Sequence, residues 1–251
     1  DCFYTAIEAV NIARQYSVPV FILSDQSIAT RIEAFPEPEL SKVCQDISPD
    51  FTPVPEHKPY DLSAPDGITH HIPPGTKVLN GKYPVLPGLE HDEMGHPSAS
   101  PKMHMAMTAK RRRKLQALAR TLPPPQPYGA SQGDVLLVGW GSTRGPIREA
   151  VDRARAQGLS VAALHLRYLN PLPNGLEEIF SGFRQIFVVE MNDEGLYGYG
   201  QLASLLRARY CNPNIRGINK TDGLTFKVRE ILERLHEKLA ALQGSPVTVQ
   251  A

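Results

Sequence analysis

The stretch 90-EHDEMGHPS-98 sets two histidines, one aspartate and two glutamates within seven residues. Side chains of these types can ligate a metal, relay protons, or hold a polar loop together through internal hydrogen bonds. A zinc protease would need H-E-x-x-H on a helix, with its histidines four apart and the glutamate as general base. Here His91 and His96 are five apart, and Gly95 and Pro97 argue against a helix. A mononuclear metal could still use His91, Asp92 and His96, with His70, His71 or His104 from elsewhere. Nothing in the spacing demands it. The stretch alone leaves three readings: a metal site, an internally bonded polar loop, or a loop reaching into a shared active centre.

Two further stretches carry candidate residues. In 139-GWGST-143 a strand passes into a helix, where free N–H groups near Gly141 and the hydroxyls of Ser142 and Thr143 can hold an anion. The same residues serve equally as a plain helix cap. The pattern is neither G-x-G-x-x-G nor a P-loop. In 190-EMNDEGLYGYGQL-202, glycines 195, 198 and 200 permit positive φ, and Glu190, Asn192 and Gln201 could meet a ligand or a neighbouring subunit. The alternative is a flexible strand–helix loop with Asn and Asp in turn roles. The run 110-KRRRK-114 could attract a polyanion, but without interleaved aromatics and with net charge +1 it reads as a solvated or interface face. Met103, Met105 and Met107 read as adaptable packing.

These residues must be positioned by a chain of 251 residues, long enough for one large or two small domains. Its charge gives no electrostatic reason to bind nucleic acid or an anionic membrane. The longest apolar run, 18-VPVFIL-23, falls far short of the roughly 18 residues of a membrane span. Cys2, Cys44 and Cys211 are dispersed without C-x-x-C, which excludes a self-contained cysteine metal site and fits a reducing cytoplasm. The opening 1-DCFYTAIEA reads as the start of a helix in a chain cut upstream.

Three regions follow. Residues 1–30 read as a helix capped by Asp1 and a buried parallel strand at 18–26, the tail of a domain that begins elsewhere. Residues 31–128 form a long Pro-rich connector with one helix near 102–121, stopped by 123-PPPQP-127. Residues 129–243 alternate strands at 134–140, 160–167, 184–191 and 215–219 with helices at 144–157, 176–182, 200–210 and 224–242. That alternation predicts an α/β domain with a mainly parallel sheet flanked by helices, its strand carboxyl ends along one edge. Residues 244–251 read as a tail.

Together, 3-FYTAIEAVNIARQYSVPVFILSDQ-26, 88-GLEHDEMGH-96, 111-RRRKLQAL-118, 169-LNPLP-173 and 188-VVEMN…GQLASLLR-207 resemble the α subunit of 2-oxoacid:ferredoxin oxidoreductases, closest to the 2-oxoglutarate type. The α/β region also resembles the C-terminal domain of transketolase-like enzymes. The resemblance implies that residues 1–30 end a domain of the type that binds the pyrimidine of thiamine diphosphate. It implies a β subunit that supplies the diphosphate and Mg²⁺ site and an iron–sulfur cluster, with no cofactor held by this stretch alone and no metal site of its own. The implied reaction joins a 2-oxoacid, CoA and oxidised ferredoxin to give acyl-CoA, CO₂ and reduced ferredoxin, with thiamine carrying the chemistry. Within that frame Glu90, His91, Asp92, Glu93 and His96 form a loop at the active centre, and His91 is the proton-handling member. Two other functions compete: a metal-dependent hydrolase built on the His-rich loop, and an assembly-only module.

Overall fold

The computed structural model describes residues 1–44, 50–53, 56–78 and 85–244. They form two compact units, one of residues 1–23 with 33–122 and one of residues 24–32 with those from 123 onward. In this division the first helix falls in the same unit as the Pro-rich region. The expected tail, after Gly244, lies outside the described residues.

In the second unit four parallel strands, β1 (Gly133–Gly139), β2 (Val161–His165), β3 (Phe183–Glu190) and β4 (Ile215–Asn219), lie in the order β2-β1-β3-β4. This is the mainly parallel sheet the alternation predicts. Successive side chains point to opposite faces, and both faces are covered, so the strands read as continuous apolar runs. Val135, Leu137, Phe187, Val189 and Ile218 pack against Ile147, Ala150, Val151 and Ala154 of one helix (Arg144–Ala156) and Ile231 and Leu235 of another (Val228–Gly244). Leu136, Val138, Ile186, Val188 and Ile215 pack on the other face against helices Leu176–Ser181 and Gln201–Tyr210. Each fully buried aliphatic side chain here contributes about 1.5–3 kcal/mol. Gly139 lets the helix at 144 approach the end of β1, because a Cβ there would meet Ile147 Cδ1 at 2.3 Å.

The last helix starts at Val228, four residues later than expected. Asp222 Oδ1 accepts the Leu224 N–H at 2.9 Å, and Glu230 Oε2 accepts the Lys227 N–H at 2.8 Å. These side chains bond the preceding backbone in a turn and delay the helix.

In the first unit helix α1 (Cys2–Tyr16) forms as expected, yet only Tyr16 of it is buried, its hydroxyl 2.7 Å from Thr121 Oγ1. The Asp1 side chain makes no capping bond; its carbonyl accepts from Thr5 N–H. The strand expected at 18–26 does not form. Residues 18–25 carry no regular structure, Phe21 is 84% exposed, and a short helix α2 (Gln26–Ala29), which belongs to the second unit, follows. An apolar run becomes a strand only where a neighbour completes its ladder, and among the described residues none does. A short helix α3 (Leu40–Val43) is tied to α1 by Asn11 Nδ2 donating to Val43 O at 3.1 Å. Helix α4 (Pro101–Thr121) matches its expectation, with Ser100 Oγ accepting from Met103 N–H. No described helix is long and apolar enough to cross a membrane.

Candidate functional site

The E-H-D-E stretch closes on itself. Asp92 N–H bonds His96 O at 2.9 Å, Ser98 N–H bonds Glu90 O at 2.9 Å, and His91 bridges Pro97. Asp92 Oδ1 accepts the N–H groups of Met94 and His96, both at 2.9 Å, an Asx turn. Gly95 takes φ 88°, and a Cβ there would lie 2.0 Å from Val85 O, so the turn requires glycine. Glu93 Oε1 accepts Leu62 N–H at 3.0 Å, and Glu93 O accepts Tyr60 N–H at 3.1 Å. His96 Nδ1 stands 3.5 Å from Asp92 Oδ2.

His91 is buried, its ring 3.8 Å centroid to centroid from that of Tyr60. Its Nδ1 lies 2.8 Å from Asp92 O. A carbonyl only accepts, so Nδ1 carries the proton and Nε2 is the ring's acceptor in the neutral form. A metal reading of the loop therefore finds Asp92 Oδ1 and His91 Nδ1 already committed. Among the described residues no group of three His, Cys, Asp or Glu is placed to hold a metal ion.

Glu90 is the electrostatic centre of the loop. Arg111 Nη2 donates to Oε1 at 2.6 Å and Nη1 to Oε2 at 3.2 Å, while His104 Nδ1 lies 2.5 Å from Oε2. The two-pronged Arg111 contact and then the His104 bond lower the Glu90 pKa to about 2. The basic run is mixed: Arg111 and Arg112 are exposed, and the others are engaged with backbone. Lys110 is buried and donates to Gly67 O and, at 2.9 Å, to Thr69 Oγ1. Burial, and then the charge of Lys114, lower its pKa to about 8. Arg113 donates to Leu62 O at 2.8 Å, Lys114 to Ser17 O at 3.0 Å, and Arg120 pairs with Asp66. The run clamps connector segments onto α4. Of the three methionines only Met107 is buried; Met105 is 72% exposed.

The other candidates meet at the carboxyl ends of β1 and β3, where the strand order reverses direction. Ser142 Oγ lies 4.0 Å from Met191 Sδ, which brings the 139–143 turn beside the loop after β3. Neither hydroxyl caps the helix at 144: Thr143 Oγ1 donates to Trp140 O at 2.7 Å. The Ser142 N–H donates instead to Asp25 Oδ2 at 3.2 Å, and a Cβ on Gly141 would lie 3.3 Å from that oxygen. The anion at this helix start is thus the chain's own, and Asp25 Oδ1 caps Ile28 N–H of α2 at 3.1 Å as well.

Glu190 is almost fully buried and caps helix 201–210 from a distance, accepting Leu202 N–H at 3.1 Å and Ala203 N–H at 3.0 Å. Asn192 Nδ2 donates to Glu190 Oε2 at 3.1 Å, and Asn219 Nδ2 donates to Asn192 O at 3.2 Å. Gln201 is exposed and outside this network. A cleft of about 790 Å³ opens beside Asn192, lined by Asp193, Asn219, Lys220, Glu230 and Arg234 among others. Six carboxylates against three cations line it, so it disfavours an anionic ligand.

Sequence reading missed Asp25, Arg111, Lys110 and Tyr60. Asp25 had a signal, since an aspartate directly before a short helical segment is a capping pattern. Lys110 was visible only in a charge run, Arg111 in that run and in 111-RRRKLQAL-118, and Tyr60 had no signal at all.

Residues 133–231 match pyruvate:ferredoxin oxidoreductase core domain II. The chain is 34% identical over 242 residues to the 2-oxoglutarate oxidoreductase subunit KorA of Mycobacterium tuberculosis, covering 96% of this chain and 35% of that one. It is 31% identical over 261 residues to the 2-oxoacid:ferredoxin oxidoreductase 2 subunit alpha of Aeropyrum pernix, covering 98% and 39%. The 2-oxoglutarate:ferredoxin oxidoreductase from Magnetococcus marinus, solved with 2-oxoglutarate, coenzyme A and succinyl-CoA bound, superposes with a TM-score of 0.80 at 30% identity, over 95% of this chain and 40% of that one. The chain spans well under half the length of these relatives. From the domain match and the alignment of nearly all its residues, the chain belongs to the 2-oxoacid:ferredoxin oxidoreductase α-subunit family.

Proposed function

We propose that the chain acts as part of the α subunit of an enzyme that oxidatively decarboxylates a 2-oxoacid, 2-oxoglutarate in the first instance, with CoA, yielding acyl-CoA, CO₂ and reduced ferredoxin. The observation that carries this reading is the superposition of 95% of the chain, at a TM-score of 0.80, on an oxidoreductase solved with that oxoacid and coenzyme A.

The residues present do not fit the diphosphate and Mg²⁺ end of thiamine diphosphate. The sequence has no G-D-G motif, and the described residues gather no metal-binding trio. Three exposed, separate cysteines likewise do not fit an iron–sulfur cluster. In this reading both groups are held outside this chain, in a β subunit, and ferredoxin takes the electrons. The chain supplies scaffold and a polar loop.

For that loop we infer two kinds of role. Glu90, Asp92, Glu93 and His96 shape it, as their bonds to Arg111, Met94, Leu62 and Asp92 support. His91 is the proton-handling member, with Nε2 the atom its geometry leaves to accept. The assembly-only reading draws on the same bonds, since every loop side chain already serves the fold. His91→Gln in the α subunit carrying this chain, co-expressed with its β partner, separates them. Loss of CoA-dependent CO₂ release from 2-oxoglutarate by an intact complex supports the catalytic role. Full release at unchanged assembly leaves the loop structural. If the parent complex releases no CO₂ from any 2-oxoacid, the enzyme assignment itself falls.

A further inference from the structure

His91 is 7% exposed, the one titratable side chain of the 90–96 loop that is buried. Two contacts of different kinds hold its ring. The Nδ1–H bond to Asp92 O at 2.8 Å decides which edge turns towards the loop backbone, since half a turn about the Cβ–Cγ bond would put a carbon there instead. That half turn keeps the ring in its own plane, so the bond leaves the tilt of the plane to whatever packs on its face. Tyr60 packs there, its centroid 3.8 Å away and the two planes 41° apart. Tyr60 is anchored in turn by main-chain bonds that do not use its ring. Its N–H donates to Glu93 O at 3.1 Å, Leu62 N–H donates to Glu93 Oε1 at 3.0 Å, and Arg113 of α4 donates to Leu62 O at 2.8 Å. Asp61 Oδ1 accepts the Ser63 N–H at 2.8 Å and the Ser63 hydroxyl at 2.7 Å, which closes the turn after Tyr60. The segment thus keeps its place by its backbone, and the ring's contact with His91 is additional to it. Burial raises the Tyr60 pKa above its ordinary value, so the ring is uncharged at neutral pH.

We propose that Tyr60 is a positioning residue for the reaction: its ring sets the plane of the His91 imidazole and so the direction in which Nε2 accepts a proton. A general base works only within hydrogen-bond reach and alignment of the proton it takes. A misplaced base therefore lowers turnover and leaves substrate binding alone. A rigid aromatic side chain suits this task, because little rotamer freedom is left to blur the plane it sets. The inference rests on the proton-handling role given to His91 above.

In the α subunit carrying this chain, co-expressed with its β partner, Tyr60→Leu should lower kcat for CO₂ release about tenfold with KM for 2-oxoglutarate unchanged. Tyr60→Phe, which keeps the ring, should recover that loss. On a His91→Gln background Tyr60→Leu should lose nothing more, because the ring acts only through His91. The ring contact is read separately by NMR of the 251-residue chain, with the His91 ring protons identified by His91→Gln. They should lie upfield, shielded by the neighbouring ring, in wild type and Tyr60→Phe, and return to ordinary histidine positions in Tyr60→Leu. The Tyr60→Phe and wild-type arms stand even if Tyr60→Leu fails to assemble. Wild-type kcat in Tyr60→Leu while His91→Gln is impaired would overturn the positioning role. So would a loss in Tyr60→Phe, a further loss on the His91→Gln background, or unshielded His91 ring protons in the wild type. Full turnover in His91→Gln would overturn it together with the role given to His91.

Discussion

Glu90 and Lys110 each make the stability of the same unit rise with pH, in two separate windows. Glu90's folded pKa, about 2, lies below its ordinary 4.5, so its contribution is fully present above about pH 4.5 and is lost as the pH falls towards 2. Glu90→Gln should abolish that part of the acid dependence, read as urea midpoints from pH 5 to 2.5; parallel wild-type and variant curves would refute it. The effect is small, within the ~0–1 kcal/mol of solvent-accessible pairs. Lys110's folded pKa, about 8, lies below its ordinary 10.5. Between those values the unfolded chain binds more protons, so this residue makes stability rise with pH there. Lys110→Met should flatten that rise, measured by urea midpoints from pH 7.5 to 10.5. The residue types that could do chemistry were legible in 90-EHDEMGHPS-98, but their engagements were not. Arg111 reaches Glu90 only because the chain turns back through 97–100 into α4, and sequence spacing does not encode that return.

At the scale of elements, the loop between β3 and the helix 201–210 is organised by one buried carboxylate. Glu190→Ala would leave the Leu202 and Ala203 N–H groups and the Asn192 amide without their acceptor, and should cost about 2–3 kcal/mol in chemical denaturation. Gly200→Ala should cost a further measurable amount, above about 1 kcal/mol. Its φ is 82° and the new methyl would sit 2.2 Å from Asn219 Nδ2. An unchanged midpoint in either variant would contradict the capping account. The glycines at 195, 198 and 200 were readable because positive φ selects glycine, and all three adopt it. The four strands were readable because both sheet faces are buried, which leaves unbroken apolar runs. The start of the last helix was not, because Glu230 and Asp222 act on backbone ahead of it.

At the scale of the molecule, the largest departure from expectation is 18-VPVFIL-23, apolar yet exposed, with Phe21, Ile22 and Leu23 each more than half accessible. Its composition suits a strand, and only a strand from outside the described residues could complete it. We propose that in the longer α subunit this run pairs within a sheet; amide exchange there should slow by orders of magnitude relative to the 251-residue chain. The central claim is that this chain belongs to a working ferredoxin-reducing enzyme. It is tested most directly by co-expressing a full-length α subunit that carries this chain with a β partner, and following reduction of a low-potential viologen with and without 2-oxoglutarate and CoA. Reduction that requires both substrates is the predicted result. No reduction by a complex loaded with thiamine diphosphate and its iron–sulfur cluster, across several 2-oxoacids, would contradict it.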